Sequence, residues 1–147
     1  MKRILLMLFL CVACVFVHAQ TVSENDLPEP VLKKFKKMYS KVTDADWVNK
    51  DDAYTAEFLV NKAKNSVSFN EKGDVVGKKE AVAVATLPAT IAPYMSKNHK
   101  GFKMKESYKI TDDKKAVTYE VHSKNKNGDE AVCIFDKGGK FVKDAGE

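Results

Sequence analysis

A single cysteine in the body of the chain, Cys133, is the residue best suited to nucleophilic chemistry. His99 or His122 could serve as its base, because a thiol attacks efficiently once a neighbouring imidazole removes its proton. However, Cys133 lies inside the apolar run of residues 131–135, where a free thiol packs as a small hydrophobic side chain. The sequence therefore predicts a buried, structural Cys133. An enzyme that uses it with a histidine is the third of three functional hypotheses.

The same two histidines could bind a metal ion, with Asp112 or Asp113 as a further ligand. They belong to different predicted elements, and the chain has no H-x-x-x-H pair and no carboxylate-rich loop to support them. We therefore expect His99 and His122 to be isolated surface residues. We predict no metal, no cofactor and no catalytic residue.

The stretch KNKNGDE, residues 124–130, has the polar composition of a calcium-binding loop. It lacks the alternating acidic residues and the closing Glu that such a loop needs. We interpret it as a hairpin turn in which Gly128 adopts a positive backbone φ.

Lysine supplies almost all of the positive charge. The chain has 25 basic and 20 acidic residues, a formal net charge of +5, and Arg3 is its only arginine. Arginine is the side chain that reads phosphate and guanine through paired hydrogen bonds, so this composition argues against a nucleic-acid partner. The cluster Lys33, Lys34, Lys36 and Lys37 is expected to be the solvated face of a helix.

Residues 1–19 have the pattern of an excised signal peptide. Two basic residues precede an apolar stretch over residues 4–17, and Ala19 offers a cleavage position. This stretch is too short to span a bilayer, which needs about 20 apolar residues. We predict an exported, periplasmic protein in which residues 20–147 form one domain with no integral membrane segment. A surface lipoprotein anchored through Cys14 is the less favoured alternative.

The elements that would position these side chains begin with an amphipathic helix. From about Pro28 to Ser40, apolar residues recur every three or four positions. The period then becomes alternating, which is typical of half-buried strands. It indicates an antiparallel meander with strands at 47–48, 54–60 and 66–69 and from Val75 into 81–87, and with turns at 62–65 and 70–73.

The pattern then starts again. A Leu-Pro opening recurs after sixty positions, and FNEKGDVV (69–76) recurs as FDKGGKFV (135–142) after sixty-six. Each copy has a helix that must bury one face against something. We therefore predict an α+β fold of two tandem helix-plus-antiparallel-meander repeats, over residues of about 27–79 and 87–144. Both helices should pack on one face of a shared sheet.

A set of aromatic, proline and glycine positions in the first copy resembles the PepSY-like family of small exported bacterial proteins, which is similar in fold to beta-lactamase inhibitory protein. The set comprises Pro30, Val31, Phe35, Tyr39, Trp47, Tyr54, Phe58 and residues 69–73. The resemblance implies tandem alpha-beta repeats, export, and a binding or inhibitory role without catalytic or metal residues. The second copy departs from the pattern, since no Trp stands opposite Trp47 and Pro93 interrupts the helix.

A sheet with helices on one side leaves its other face open to water, and aromatic residues there would form a binding patch. The candidates are Trp47, Tyr54, Tyr108 and Tyr119, although Trp47 and Tyr54 are at least as well explained as core residues. The leading hypothesis is a non-enzymatic module that binds an envelope or secreted protein, as an inhibitor would. The alternative is a small-ligand carrier with a pocket between the repeats, lined by apolar side chains and lysine.

Overall fold

Two short helices and nine strands make up the part of the chain that the computed structural model describes, residues 20–50 and 52–145. The predicted signal peptide, residues 1–19, lies outside the described residues. The helices are α1 (Glu29–Met38) and α2 (Ile91–Asn98), and a 3-10 turn precedes each, at Glu24–Asp26 and Val84–Thr86. The strands are β1 (Gln20–Thr21), β2 (Asp46–Lys50), β3 (Ala53–Val60), β4 (Ala63–Phe69), β5 (Val75–Ala81), β6 (Lys103–Thr111), β7 (Val117–Lys124), β8 (Glu130–Asp136) and β9 (Phe141–Asp144).

The nine strands form one antiparallel sheet in which each strand pairs with its neighbour in the sequence. β5 and β6 join the two copies, with Lys78 opposite Thr111. Because paired residues point to the same side of a sheet, the register can be followed from Val67 through Lys78 and Thr111 to Val117. Val67 is buried with α1, and Val117 shares its side of β7 with Val121, which is buried with α2. Both helices therefore cover one face, and the predicted α+β architecture is confirmed.

The helix α1 packs on the first half of the sheet through one side only. Val31 and Phe35, one helical turn apart, are buried. The Phe35 ring lies 5.0 Å from the Trp47 ring and 5.4 Å from the Phe58 ring, centroid to centroid, in edge-to-face geometry. The four lysines at positions 33, 34, 36 and 37 are all exposed, so they are the solvated face that the sequence predicted.

The helix α2 covers the second half in the same way. Ile91 and Met95 stand sixty positions after Val31 and Phe35, and they are buried against Val121, Cys133 and Phe135. Pro93 lies in the first helical turn, where backbone N–H groups have no partner within the helix, so the missing N–H of proline costs no hydrogen bond. The helix has eight residues, against ten in α1.

The final hairpin of each copy lies against the start of its helix. Gly73 and Gly139 have φ values of 81° and 79°, in the left-handed region that favours glycine. A Cβ atom at Gly73 would lie 2.6 Å from the Pro30 carbonyl oxygen, and one at Gly139 would lie 2.7 Å from the Pro88 Cβ atom. The repeated phrase is thus a turn pressed against a helix, and any side chain there would push the two apart.

The KNKNGDE stretch is the β7–β8 hairpin turn. Gly128 has a φ of 94°, as predicted. Asn125 Oδ1 accepts hydrogen bonds from two backbone N–H groups within the turn, at 2.9 Å each. Asn70 and Asp136 hold the β4–β5 and β8–β9 turns by the same pattern of bonds.

Two predicted boundaries were wrong. The β3–β4 turn is Asn61–Lys62 and not residues 62–65, because both residues adopt positive φ values, 51° and 68°, and close a two-residue hairpin. β5 ends at Ala81 instead of running through residues 81–87. The chain there must leave the sheet to reach the helix layer, and Val84–Thr86 form the 3-10 turn that does so. No helix in the described part of the chain is long and apolar enough to cross a membrane.

Candidate functional site

Three of the four predicted binding aromatics lie on the side of the sheet that the helices cover. Trp47 is only 3% exposed and packs in the first core cluster. Tyr54, which pairs with Phe69, is half-buried against the same cluster, and Tyr119 is half-buried against the second. Alternation along each strand places these rings inward, because the large apolar surfaces gain most from burial there. The expected cluster of four exposed aromatics is therefore not formed.

Tyr108 alone of the four lies on the open face, the side of the sheet opposite the helices. It is nevertheless only 7% exposed, since polar neighbours surround its ring. Lys79 Nζ lies 4.5 Å from the ring centroid, and the His122 ring contacts it edge-on at 5.5 Å between centroids. The Tyr108 hydroxyl donates a hydrogen bond of 2.7 Å to Glu106 Oε2. We call Lys79, Glu106, Tyr108, Glu120 and His122 the junction cluster, because it lies where the two copies meet.

Glu120 is the ionic centre of the junction cluster. Its Oε1 atom accepts a hydrogen bond of 2.7 Å from Lys79 Nζ and contacts His122 Nε2. Burial acts to raise the pKa of the Glu120 carboxyl, but the hydrogen bonds from Lys79 and His122 outweigh it, and the pKa is lowered. Burial first, and then the bond to Glu106, raises the pKa of Tyr108 to about 12. At neutral pH the cluster therefore holds an ionised Glu120 and a neutral Tyr108.

A groove of about 320 Å³ runs along the open face beside this cluster. Residues of both copies line it, and they include Asp46, Glu57, Leu59, Lys64, Lys79 and Tyr108. Leu59 is 61% exposed, the largest exposed fraction among the large apolar side chains of the described residues. An adjacent depression of about 420 Å³ shares Leu59, Lys64 and Tyr108 with the groove. Leu59 thus stands between two concave surfaces, each lined by both polar and apolar atoms.

A second group of reactive side chains lies under the end of α2. Cys133 Sγ is 3.3 Å from His99 Nε2 and 3.3 Å from Asp144 Oδ1, and the latter two atoms are 3.9 Å apart. The prediction of isolated surface histidines was wrong, because α2 ends beside β8 and brings His99 to the thiol. His122 is not isolated either, since it contacts Glu120. Among the described residues, neither Asp112 nor Asp113 joins a histidine in a metal-ligand group.

Cys133 itself is placed as predicted. Its side chain is fully buried, with 0% exposure. Burial first, and then the hydrogen bond to Asp144, raises the pKa of the thiol to about 12. It is therefore a neutral thiol at physiological pH, whereas nucleophilic cysteines are exposed thiolates.

The sequence reasoning missed Leu59, Lys79 and Glu120 on the open face, and Asp144 beside Cys133. The alternation of residues 54–60 placed Leu59 and Phe58 on different faces of the strand. No sequence pattern, however, predicts that one particular leucine is exposed. The ion pair between Lys79 and Glu120 depends on the β5–β6–β7 register. The sequence does not give this register, because α2 lies between β5 and β6 in the chain. Asp144 is linked to Cys133 by the β8–β9 register, which pairs the two residues directly.

Comparison with known proteins identifies a family to which this chain is similar. A family model described as "Putative beta-lactamase-inhibitor-like, PepSY-like" matches the chain twice, over residues 14–75 and 52–143. Among curated proteins, none matches the sequence.

Several solved structures share the fold. A protein from Bacteroides eggerthii, described in the words "putative periplasmic proteins", has a TM-score of 0.67 at 17% identity, over 80% of this chain and 87% of that chain. A DUF2874 family protein from Bacteroides ovatus has a TM-score of 0.64 at 22% identity, over 80% and 86%. A BLIP-like protein from Bacteroides fragilis has a TM-score of 0.61 at 16% identity, over 82% and 88%. The two family matches overlap and together span most of the chain, and the chain belongs to the beta-lactamase-inhibitor-like, PepSY-like family.

Proposed function

We propose that this protein is a non-enzymatic, exported binding module that holds a protein of the cell envelope against the open face of its sheet, as an inhibitor would. The observation that carries the proposal is the exposed Leu59 side chain, which stands beside a groove lined by both copies. A single exposed apolar side chain is ordinary. Its position between two concave surfaces is what favours binding here.

The surroundings of Leu59 have the anatomy of a protein-binding patch. Such patches have an apolar centre and a polar rim. Leu59 supplies the apolar surface, while Glu57, Lys64 and Lys79 supply charges of both signs around it. The rim is mixed in sign, so a partner with a similarly mixed and complementary surface fits it better than a polyanion does.

The absence of a catalytic role is supported by the state of Cys133, a buried and neutral thiol. Export is supported by the signal pattern of residues 1–19 and by the periplasmic description of the Bacteroides eggerthii relative. We place the protein in the periplasm, and anchoring through Cys14 remains the less favoured route.

The small-ligand carrier is less well supported. The groove does lie at the junction of the copies, where a carrier's pocket was expected. Only about half of its lining surface is apolar, however, whereas pockets that enclose small molecules are predominantly apolar. The groove thus suits the surface of a partner better than a buried ligand.

A photo-crosslinking experiment tests the proposal. A photoreactive amino acid is placed at Leu59 in one protein and at Val142 in another. Val142 is a matched control, because it is 54% exposed but lies on β9, far along the sheet from the groove. In envelope extract, we expect one defined adduct from position 59 and none from position 142. Leu59→Asp should weaken capture of the same partner by about tenfold or more, as for an interface hot spot, while Val142→Asp should not. No adduct at position 59, or equal adducts at both positions, would overturn the proposal.

A further inference from the structure

We propose that His99, Cys133 and Asp144 form a binding site for a divalent transition-metal ion, with Zn²⁺ the ion that their ligand atoms suit best. The group lies under the C-terminal end of α2, on the helix-covered side of the sheet. It is separate from the groove on the open face, and the proposal does not depend on the binding function.

Two of the three distances between the ligand atoms are those of a tetrahedral site, and the third is slightly longer. Bonds to Zn²⁺ of about 2.3 Å from sulfur and about 2.0–2.1 Å from nitrogen and oxygen place two ligand atoms roughly 3.3–3.6 Å apart. The observed separations are 3.3 Å for both pairs that involve Cys133 Sγ and 3.9 Å between His99 Nε2 and Asp144 Oδ1. A movement of roughly half an ångström closes that third pair to the tetrahedral separation.

Each ligand is fixed by a different part of the fold. Cys133 and Asp144 are a cross-strand pair of β8 and β9, so the pleat directs both side chains to one side. His99 is the residue that caps α2, where its backbone N–H donates to the Met95 carbonyl and its carbonyl accepts from Phe102. The cap is also the negative end of the helix dipole, which favours a cation. The site is therefore assembled before any ion arrives.

The first copy shows that the fold does not require these three residues. At the equivalent positions it has Tyr39, Val67 and Lys78, and Val67 pairs with Lys78 across β4 and β5 as Cys133 pairs with Asp144. None of these three residues is among the usual zinc ligands, which are Cys, His, Asp and Glu. Val67, the counterpart of Cys133, fills the buried position in the first copy without any ligand atom. The second copy differs at all three positions together, and each change introduces a metal-ligand atom.

The chemistry of the set favours Zn²⁺. Sulfur, imidazole nitrogen and carboxylate oxygen together suit a borderline cation, whereas calcium and magnesium prefer oxygen alone. Binding would form a bond from the metal to Cys133 Sγ, and the thiol proton would leave to solvent. The thiolate and the Asp144 carboxylate then balance the two positive charges. Asp144 is the most exposed of the three ligands, so the fourth coordination position faces its side, where a water molecule can occupy it.

The test is titration of the purified, reduced protein with Zn²⁺ and, separately, with Co²⁺. We expect one Zn²⁺ per chain and, with Co²⁺, the visible bands of a tetrahedral site together with a thiolate-to-metal charge-transfer band in the near ultraviolet. Cys133→Val should abolish the charge-transfer band and remain folded, because Val67 fills the same position in the first copy. His99→Gln and Asp144→Asn should each weaken Zn²⁺ binding by about tenfold or more.

Asp113→Asn is the matched control, because Asp113 is an exposed carboxylate of the β6–β7 turn outside the site. It should bind Zn²⁺ as the wild type does. Circular dichroism of each variant shows whether it is folded. Failure of the folded wild type to bind Zn²⁺ at micromolar concentration would overturn the proposal, as would unaltered binding by folded Cys133→Val.

Discussion

Lys79 Nζ lies 2.7 Å from Glu120 Oε1 and so ties the last strand of the first copy to the second strand of the other, across the intervening β6. This ion pair connects the two copies, and the Lys79 ammonium group also lies over the Tyr108 ring. The two repeats are thus joined by a side-chain bridge on the open face as well as by the backbone of β5 and β6.

Glu120→Gln should lower the stability of the protein at neutral pH and flatten its response to acid. The pKa of Glu120 in the folded protein is below its unfolded value of about 4.3, so its contribution is present above that pH and is lost as the pH falls through the folded pKa. The Lys79 end of the pair is partly exposed, so we expect a loss of about 1 kcal/mol at neutral pH. Urea unfolding at a series of pH values measures both effects.

The exposed pair of Lys124 and Glu130 supplies the control for that experiment. Its Nζ–Oε1 distance is 2.9 Å, but solvent screens it, so Glu130→Gln should change the acid response less than Glu120→Gln does. If the stability of Glu120→Gln and that of the wild type fall in parallel from neutral to acid pH, the assigned role of Glu120 is wrong.

Gly139→Ala should destabilise the protein by about 2–4 kcal/mol, because the new methyl group adds steric overlap with Pro88 and Thr90 to the strain of a positive φ. Gly101 separates the two effects, since its φ is also positive, 85°, but no atom lies within 4 Å of the place that a new methyl group would take. Gly101→Ala should therefore cost only about 1 kcal/mol. Equal losses for the two variants in denaturant unfolding would show that the turn does not press on the helix.

Phe135→Ala should cost about 3–5 kcal/mol, since Phe135 is fully buried in the second core and truncation leaves a cavity. Val142→Ala, at an exposed position of the neighbouring strand, should change stability by no more than about 0.5 kcal/mol. The midpoint of thermal unfolding measures both. A similar midpoint for the two variants would contradict the assignment of the second core.

The Cys133 thiol should not react with an alkylating reagent in the native protein, because the side chain has no exposed surface. It should react fully once the protein is unfolded in urea. Val142→Cys combined with Cys133→Val gives an exposed thiol on the same sheet and should react at once. Rapid alkylation of native wild-type Cys133 would instead revive the hypothesis of a cysteine enzyme.

Local periodicity was sufficient to predict the secondary structure and the repeat. The three-to-four spacing of Val31 and Phe35 and the alternation of residues 54–60 are properties of single elements, and each appears in the structure as expected. The boundaries were less well predicted where backbone conformation decides them. Nothing in the residue types of Asn61 and Lys62 distinguishes a two-residue turn from a longer one.

The candidate sites depended on contacts between elements, and the sequence predicted them poorly. Alternation assigns Tyr54 and Tyr119 to one side of a strand, but only the packed helices reveal which side is covered. His99 and Cys133 are 34 positions apart, and they meet because α2 ends directly over β8. Helix length and strand register together determine this contact, and no short sequence motif predicts it.

The strictly sequential order of the sheet has a consequence for how the protein acquires its structure. Each hairpin closes over a short stretch of chain, and only the β1–β2 and β5–β6 pairings must reach around a helix. Short-range closure carries a small entropic penalty and favours rapid folding. A chain that becomes free to fold from its amino end can therefore complete one helix-and-meander unit before the next is available. The finished edge of β5 is then the template on which the second unit assembles.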